Sequence, residues 1–217
     1  ASRHPDKVGQ VILKNLVTAG FKGKIYPINP NAHFILHLPC FSSVLTVPGP
    51  IDTAIVAVPS QATPQVVEEC GRKGIKNIIM VTAGFSEVGN RILDQQIHII
   101  LKKYNMRMVG PNCLGTLDTY SNFDNLFLPR SRLTRPKPGV ISFICQSGAV
   151  GSATLDLLAK EGMKFAKFVS YGNALDVDES DMLEYLGNDP QTKIICMYME
   201  GIKDGKKFMR IAKKVAE

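Results

Sequence analysis

The sequence predicts an α/β fold built from parallel sheets covered by helices. Three observations carry that expectation. Short apolar runs of strand length alternate with amphipathic helical stretches. Two of the runs, residues 52–58 (DTAIVAV) and 77–82 (NIIMVT), are almost continuously apolar, as in strands buried on both faces. The alternation breaks once, over residues 116–138, and then resumes.

In chain order, residues 8–20 carry helical spacing and close on Gly20. Residues 24–28 (KIYPI) read as a short strand, followed by the strand over 52–58. Residues 64–73 form an amphipathic helix closed by Gly74, and the strand 77–82 follows. A helix over about 90–104 leads to a strand over 106–109. Residues 116–138 hold Asn, Asp, Ser and three prolines, Pro129, Pro136 and Pro138, and read as a linker or an extended crossing segment. Strands over 140–144, 166–170 and 193–199 then alternate with helices over 148–160, 181–186 and 206–215. The chain ends on that last helix, so the second unit is expected to be incomplete within these residues.

Composition narrows the function. The 217 residues are 45% hydrophobic and 21% charged, ordinary for a soluble globular protein. No apolar run approaches the roughly 20 residues a membrane span needs. The opening Ala1-Ser2-Arg3-His4-Pro5 has no secretory signal pattern and lacks a Met, which points to residues upstream. The five cysteines, Cys40, Cys70, Cys113, Cys145 and Cys196, form no CxxC pair, so zinc is not expected. Their odd number suits reduced thiols in the cytoplasm. The net charge of +7 comes from dispersed lysines or pairs such as Lys102 and Lys103, without interleaved aromatics. That favours a small anionic ligand over nucleic acid.

Ligands of parallel sheets bind at the carboxyl ends of the strands. Those ends are Asn29-Pro30-Asn31, Pro59-Ser60, Thr82-Ala83-Gly84-Phe85 and Gly110-Pro111-Asn112-Cys113. Each is a polar or glycine-containing turn, and together they are expected to line one crevice. Cys113 reads as a nucleophile or as a structural thiol beside a tight turn.

In the second unit, Cys145-Gln146-Ser147-Gly148 joins a strand to a helix. Ser147 can cap that helix, and Gly148 lets an anion approach its free N–H groups. A hydrolase nucleophile elbow would need GxSxG, but residue 145 is Cys. The four histidines, His4, His33, His37 and His98, all precede it, so no later base exists. Asp176, Asp178, Glu179 and Asp181 lack calcium-loop spacing and are expected to solvate a loop and a helix start. Glu200 ends a strand on the ligand side, or is simply a solvated acid.

Several segments in order carry a family resemblance. They are Ala1-Ser2-Arg3, Lys7-Val8-Gly9, Tyr26-Pro27-Ile28-Asn29-Pro30, Val81-Thr82-Ala83-Gly84-Phe85 and Gly110-Pro111-Asn112-Cys113-Leu114-Gly115. Gln146-Ser147-Gly148-Ala149, Ser170-Tyr171-Gly172-Asn173, Asp189-Pro190 and Tyr198-Met199-Glu200-Gly201 follow. The chain resembles the ADP-forming acetyl-CoA synthetase family over its whole length. It is more distantly similar to the α subunit of succinyl-CoA synthetase.

The resemblance implies a Rossmann-like coenzyme A-binding domain over residues 1–115 and a linker over 116–138. A truncated flavodoxin-like, succinyl-CoA synthetase-like domain over 139–217 follows. It implies CoA contacts at Ser2, Arg3, Asn29, Asn31, Thr82, Ala83 and Gly84, to which the strand-end turns add Pro59, Asn112 and Cys113. Ser147 and Gly148 correspond to the cradle for the phosphate of a catalytic histidine, and Glu200 to that histidine's partner. The implied reaction is carboxylate, CoA and ATP to acyl-CoA, ADP and phosphate, through an acyl phosphate and a phosphohistidine. The acid is expected to be a small carboxylate. ATP, ADP and magnesium belong to a nucleotide-binding β subunit or fused domain, in an expected oligomer.

The sequence departs from the family pattern at three points. None of the four histidines matches the phosphorylated one, which in the family pattern is expected after residue 217; the first glycine-rich turn is expected to begin before Ala1; and Asn31 stands where a Lys is common. Two rival readings stay open. One is an acyl-CoA-sensing module of an acetyltransferase-type fusion, which lacks the histidine. The other is an NAD(P)-binding domain, against which Ile28-Asn29-Pro30 offers no acid for a ribose.

Overall fold

The computed structural model describes residues 1–216. Helix α1 (Val8–Ala19) ends on Gly20 in the left-handed conformation. A two-residue-per-strand hairpin, β1 (Phe34–Ile35) and β2 (Leu38–Pro39), follows. The first sheet is formed by β3 (Thr53–Val56), β4 (Asn77–Met80) and β5 (Arg107–Val109), all parallel, with β4 central. Helix α2 (Thr63–Lys73) joins β3 to β4, and α3 (Arg91–Tyr104) joins β4 to β5.

Local signals set the helix ends. Gly74 and Asn105 take left-handed caps after α2 and α3, and Asn90 caps α3 by accepting from the Leu93 amide. Alternation along β4 divides the core. Ile78 and Met80 pack with Val67 and Cys70 of α2 and Ile97 and Leu101 of α3. Ile79 and the following Val81 pack with Ile12 and Leu16 of α1 and with Cys113. Each such buried aliphatic contributes about 1.5–3 kcal/mol, so the sheet is fixed from both faces.

The second sheet has the order β10-β8-β9-β6-β7. Its parallel part is β8 (Pro138–Cys145), β9 (Phe165–Ser170) and β10 (Ile194–Tyr198). Strand β6 (Gly115–Asp118) runs antiparallel to β9, and β7 (Phe123–Asp124) antiparallel to β6. Helix α4 (Gly148–Lys160) lies over the face carrying Phe143, Cys145 and Phe168. Helix α5 (Glu179–Gly187) lies over the face of Ile144 and Val169, with α6 (Gly205–Ala216) against it.

The α/β architecture expected from the sequence is met, with two differences. Residues 24–28 do not form a strand. Ile28 makes a single parallel bridge to Phe41, because Pro27 has no N–H to continue a ladder. Residues 116–138 are more than a linker. They supply most of β6 and all of β7, and bury Leu117, Leu126 and Leu133. Asp124, wholly buried, binds Arg135 at 2.8 Å and Arg130 at 3.0 Å and folds the segment back on itself. Asn15 of α1 donates to the carbonyls of Leu126 and Leu128 at 2.7 and 3.0 Å, so the crossing segment also binds the first unit. No helix among the described residues is long and apolar enough to cross a membrane.

Candidate functional site

The sequence-predicted residues fall into three groups. The first lies at the start of the chain. The Ala1 nitrogen donates to the Ile28 carbonyl at 2.7 Å, and Asn29 Nδ2 donates to the Ala1 carbonyl at 2.9 Å. Asn29 Oδ1 accepts from the Asn31 amide at 2.8 Å, closing an Asx turn. Both ends of the Asn29 side chain are therefore engaged within the protein. Its role is to hold Ala1 and the exposed Asn31 in place. Ser2 Oγ accepts from the His4 amide at 3.2 Å, while Arg3 is exposed.

The second group surrounds the carboxyl ends of β3 and β4. Thr82 is buried, and its hydroxyl donates to the Val58 carbonyl at 2.9 Å. It braces the two strand ends. Ala83 and Pro59 are exposed. Gly84 takes φ +105°, and a Cβ there would sit 2.9 Å from Ser60 Oγ, so only glycine fits this turn. Glu87 holds the turn from outside. Its Oε1 accepts from the Gly84 amide at 2.5 Å and from the Phe85 amide at 3.2 Å. Burial alone would raise the Glu87 carboxyl. The donors at Gly84, Asn173 and Phe85 outweigh it and hold the group below the usual carboxylate range.

Asn112 is exposed at φ +56°, and its amide donates to the Thr82 carbonyl at 2.9 Å. The neighbouring Cys113 turns inward. It is 1% exposed, its thiol points at the Met80 carbonyl at 3.3 Å, and burial pushes it up to about 12. Its burial and the Met80 contact suit the structural thiol of the two readings. The same turn gave opposite orientations to adjacent residues, which spacing alone cannot reveal.

The third group lies at the exit of β8. Ser147 caps α4, its Oγ accepting from the Val150 amide at 3.3 Å. A Cβ on Gly148 would meet nothing closer than Leu114 Cβ at 3.6 Å, so this helix start is open to an approaching anion. Beneath it, burial pushes the Cys145 thiol up to about 11. Glu200 is exposed just past β10, and its side chain makes no hydrogen bond among the described residues.

Hydrogen bonds join the second and third groups. Asn112 Nδ2 donates to Asn173 Oδ1 at 3.2 Å, and Asn173 Nδ2 donates to Glu87 Oε2 at 2.5 Å. Tyr171, two residues before Asn173, donates from its hydroxyl to Gln146 Oε1 at 3.2 Å. That oxygen also accepts from the Glu200 amide at 2.8 Å. Glu87 was not singled out by the sequence reasoning, and Gln146, Tyr171 and Asn173 entered it only as parts of longer motifs, with no role of their own. The turn after β9 is itself a strand carboxyl end, and applying the strand-end rule to the second sheet would have found Tyr171 and Asn173.

The acidic run stands at a helix start as expected, Asp178 capping α5 by accepting from the Asp181 amide at 2.9 Å, and it also forms ion pairs. Asp176 and Asp181 pair with Arg107 at 2.9 and 2.8 Å, and Lys207 pairs with Asp178 and Asp181. Glu179 is 1% exposed and accepts from the Lys203 amide, so it is a core anchor and not a solvating charge. No cluster of metal-ligating side chains occurs among the described residues. A cleft of about 610 Å³ between the sheets is lined by Thr53, Asn77, Arg107, Asp118 and Lys167. It opens at the amino ends of β3, β4 and β5 and includes none of the sequence-predicted site residues.

Two family models match the chain, one in each part. Residues 138–217 match the family model described as a succinyl-CoA ligase like flavodoxin domain, and residues 1–119 match the one described as a CoA binding domain. Over all of its length the chain is 48% identical to the ADP-forming acetate–CoA ligase of Methanocaldococcus jannaschii. It is 39% identical to the α subunit of ADP-forming acetate–CoA ligase II of Pyrococcus furiosus. It spans 30% and 47% of the lengths of those two relatives. It also superposes on dinucleotide forming acetyl-coenzyme A synthetase 1 of Ca. Korarchaeum cryptofilum, solved with phosphate and ADP. The TM-score is 0.94 at 38% identity, covering 100% of this chain and 46% of that one. Through residues 1–119, more than half of its length, the chain belongs to the CoA binding domain family.

Proposed function

We propose that this chain is the CoA-binding and phosphate-cradling part of an ADP-forming acyl-CoA ligase that acts on a small carboxylate. The observation that carries the reading is that hydrogen bonds tie the Gly84 turn to Asn173 through Glu87, and Gln146, which precedes Ser147, to Tyr171, with Tyr171 and Asn173 two residues apart in one turn. That connection supports reading the Gly84 turn and the Ser147 helix start as parts of one site. The similarity to ADP-forming acetate–CoA ligases along the whole chain supports the same reading.

The residues divide the work. Ser2 and Arg3, with the Asn29–Asn31 turn behind them, suit the phosphates of CoA. The open turn at Ala83 and Gly84, flanked by Pro59 and Asn112, suits its uncharged part. Bound CoA would supply the thiol that accepts the acyl group. Ser147 and Gly148 present the free N–H groups and positive end of α4 to a phosphoryl group. Glu200 pairs with the histidine that carries that group in a part of the enzyme outside these residues. Nucleotide and magnesium are held by the β subunit or fused domain. The reaction takes place in the cytoplasm, where the free thiols remain reduced.

The test is calorimetric titration with CoA, with dephospho-CoA and NAD as comparison ligands. Saturable CoA binding, weakened by loss of the 3′-phosphate and absent with NAD, is expected. NAD binding in preference to CoA would overturn the reading. CoA binding with no ligase turnover in the complete protein would favour the sensing module instead.

A further inference from the structure

Between the last residue of β10, Tyr198, and Lys203, the chain has no regular secondary structure. The ladder with β8 ends at the pair Tyr198 and Cys145. Beyond it, the segment is tethered at two amides: Glu200 to Gln146 Oε1 at 2.8 Å, and Lys203 to Glu179 Oε1 at 2.9 Å. A Cβ on Gly201 between them would meet nothing within 4 Å, and beyond it the Lys203 ammonium donates to the Ala174 carbonyl.

Gln146 is built to hold this segment. Its own amide donates to the Tyr198 carbonyl at 3.0 Å, extending the strand pairing by one bond. Its side chain then reaches two residues further, to Glu200. A backbone N–H can only donate, so the atom facing Glu200 must be the amide oxygen of Gln146. The Tyr171 hydroxyl, on a ring that is 0% exposed, donates to the same oxygen and holds the side chain in place from the buried side. Gln146 also directly precedes Ser147. One residue therefore connects the helix start to the backbone of the glutamate opposite.

We infer that Gln146, oriented by Tyr171, is a positioning residue that fixes Glu200 against the Ser147 helix start for phosphoryl transfer. The inference rests on the proposed roles of Glu200 and Ser147. A glutamate on an untethered segment would meet its histidine in many geometries, and misplacement by about 1 Å costs as much as 100-fold in rate.

The test uses the complete enzyme, with its histidine-bearing and nucleotide-binding parts present. Gln146→Met keeps the side-chain length and removes the acceptor. We expect kcat to fall about 10- to 100-fold with KM for CoA within about twofold. The fraction of enzyme phosphorylated by ATP in a single turnover should fall in step. Tyr171→Phe, which frees the amide without removing it, should show the same pattern at about threefold, and it serves if Gln146→Met does not fold. Proportional losses in kcat and CoA affinity would overturn the inference, because a general packing defect moves both. If Gln146→Met is near wild type while Glu200→Gln abolishes phosphorylation, the inference fails and the site reading stands. If Glu200→Gln itself changes nothing, the reading of Glu200 falls first.

Discussion

Asn173 Nδ2 donates to Glu87 Oε2 at 2.5 Å, joining the turn after β9 to the turn after β4 across 86 positions of sequence. Glu87 in turn holds the amides of Gly84 and Phe85. The shape of the first unit's open turn is therefore set partly by a residue of the second. Asn173→Ala removes that tie. A hydrogen bond to a charged acceptor is worth about 1.5–3 kcal/mol when buried. Glu87 is exposed, so about 1 kcal/mol is expected here, or about fivefold in CoA affinity. Hydrogen exchange should show faster exchange at Gly84 and Phe85, with the amides of β4 unchanged. An unchanged CoA titration would mean that Glu87 holds the turn unaided.

Asp124 governs the crossing segment in a different way. It is wholly buried, Arg135 beside it is 6% exposed at the side chain, and the half-exposed Arg130 completes the pair. Asp124→Asn leaves the Arg135 guanidinium buried without a compensating charge. The cost of breaking such a pair is about 3 kcal/mol, the low end of its range because Arg130 can turn to water. Urea denaturation should show a lower midpoint at unchanged slope. A variant as stable as wild type would show that the fold of residues 116–138 is carried by Leu117, Leu126 and Leu133 alone.

These two contacts mark what the sequence could and could not reveal. Helix ends were legible because their causes are local: Gly20, Gly74 and Asn90 act on their own turn. The buried strands were legible because both faces are covered, which leaves an apolar run. Strands β6 and β7 were not, since β6 pairs with the remote β9, β7 has only two residues and pairs only with β6, and their polar, proline-marked surroundings read as a connector. Ser147 was legible as a helix cap. Gln146 and Asn173 were not, because an amide side chain announces nothing until its partners, Glu200 and Glu87, are brought beside it. At Thr82 and Cys113 the strand-end rule located the residue and not the direction of its side chain, which points inward at both.

The orientation of the thiols gives a direct check. Cys196 is exposed, while Cys113 and Cys145 are buried and pushed by burial to about 12 and about 11. Only the thiolate reacts appreciably with an alkylating reagent. At pH 8, brief iodoacetamide treatment of the folded protein should modify Cys196 and leave Cys113 and Cys145 intact. All five cysteines should react after denaturation. Peptide mass spectrometry reads the result. Early alkylation of Cys113 in the native state would return it to consideration as a nucleophile.

Acid should act through Asp189, which ties the loop after α5 to β9. Its side chain is 9% exposed and binds Lys167, itself 8% exposed, at 3.0 Å. It also accepts from Thr192 Oγ1 at 2.6 Å. Burial pushes the carboxyl up, but Thr192 and the Lys167 ammonium outweigh it and hold the group below its ordinary value of 3.8. A carboxyl that binds its proton less tightly when folded stabilises the fold above its unfolded value, near pH 4. That contribution is lost as pH falls through the lower, folded value. Urea midpoints should thus be flat from about pH 7 to 5 and decline below about pH 4. Other depressed carboxylates, including Asp181 and Glu87, decline with it, so the difference from Asp189→Asn isolates this one. The variant should be less stable at neutral pH, and the gap should narrow as acid protonates Asp189 in the wild type. A gap that stays constant down to pH 2 would assign the loss to the Thr192 hydrogen bond and packing rather than to the charge on Asp189.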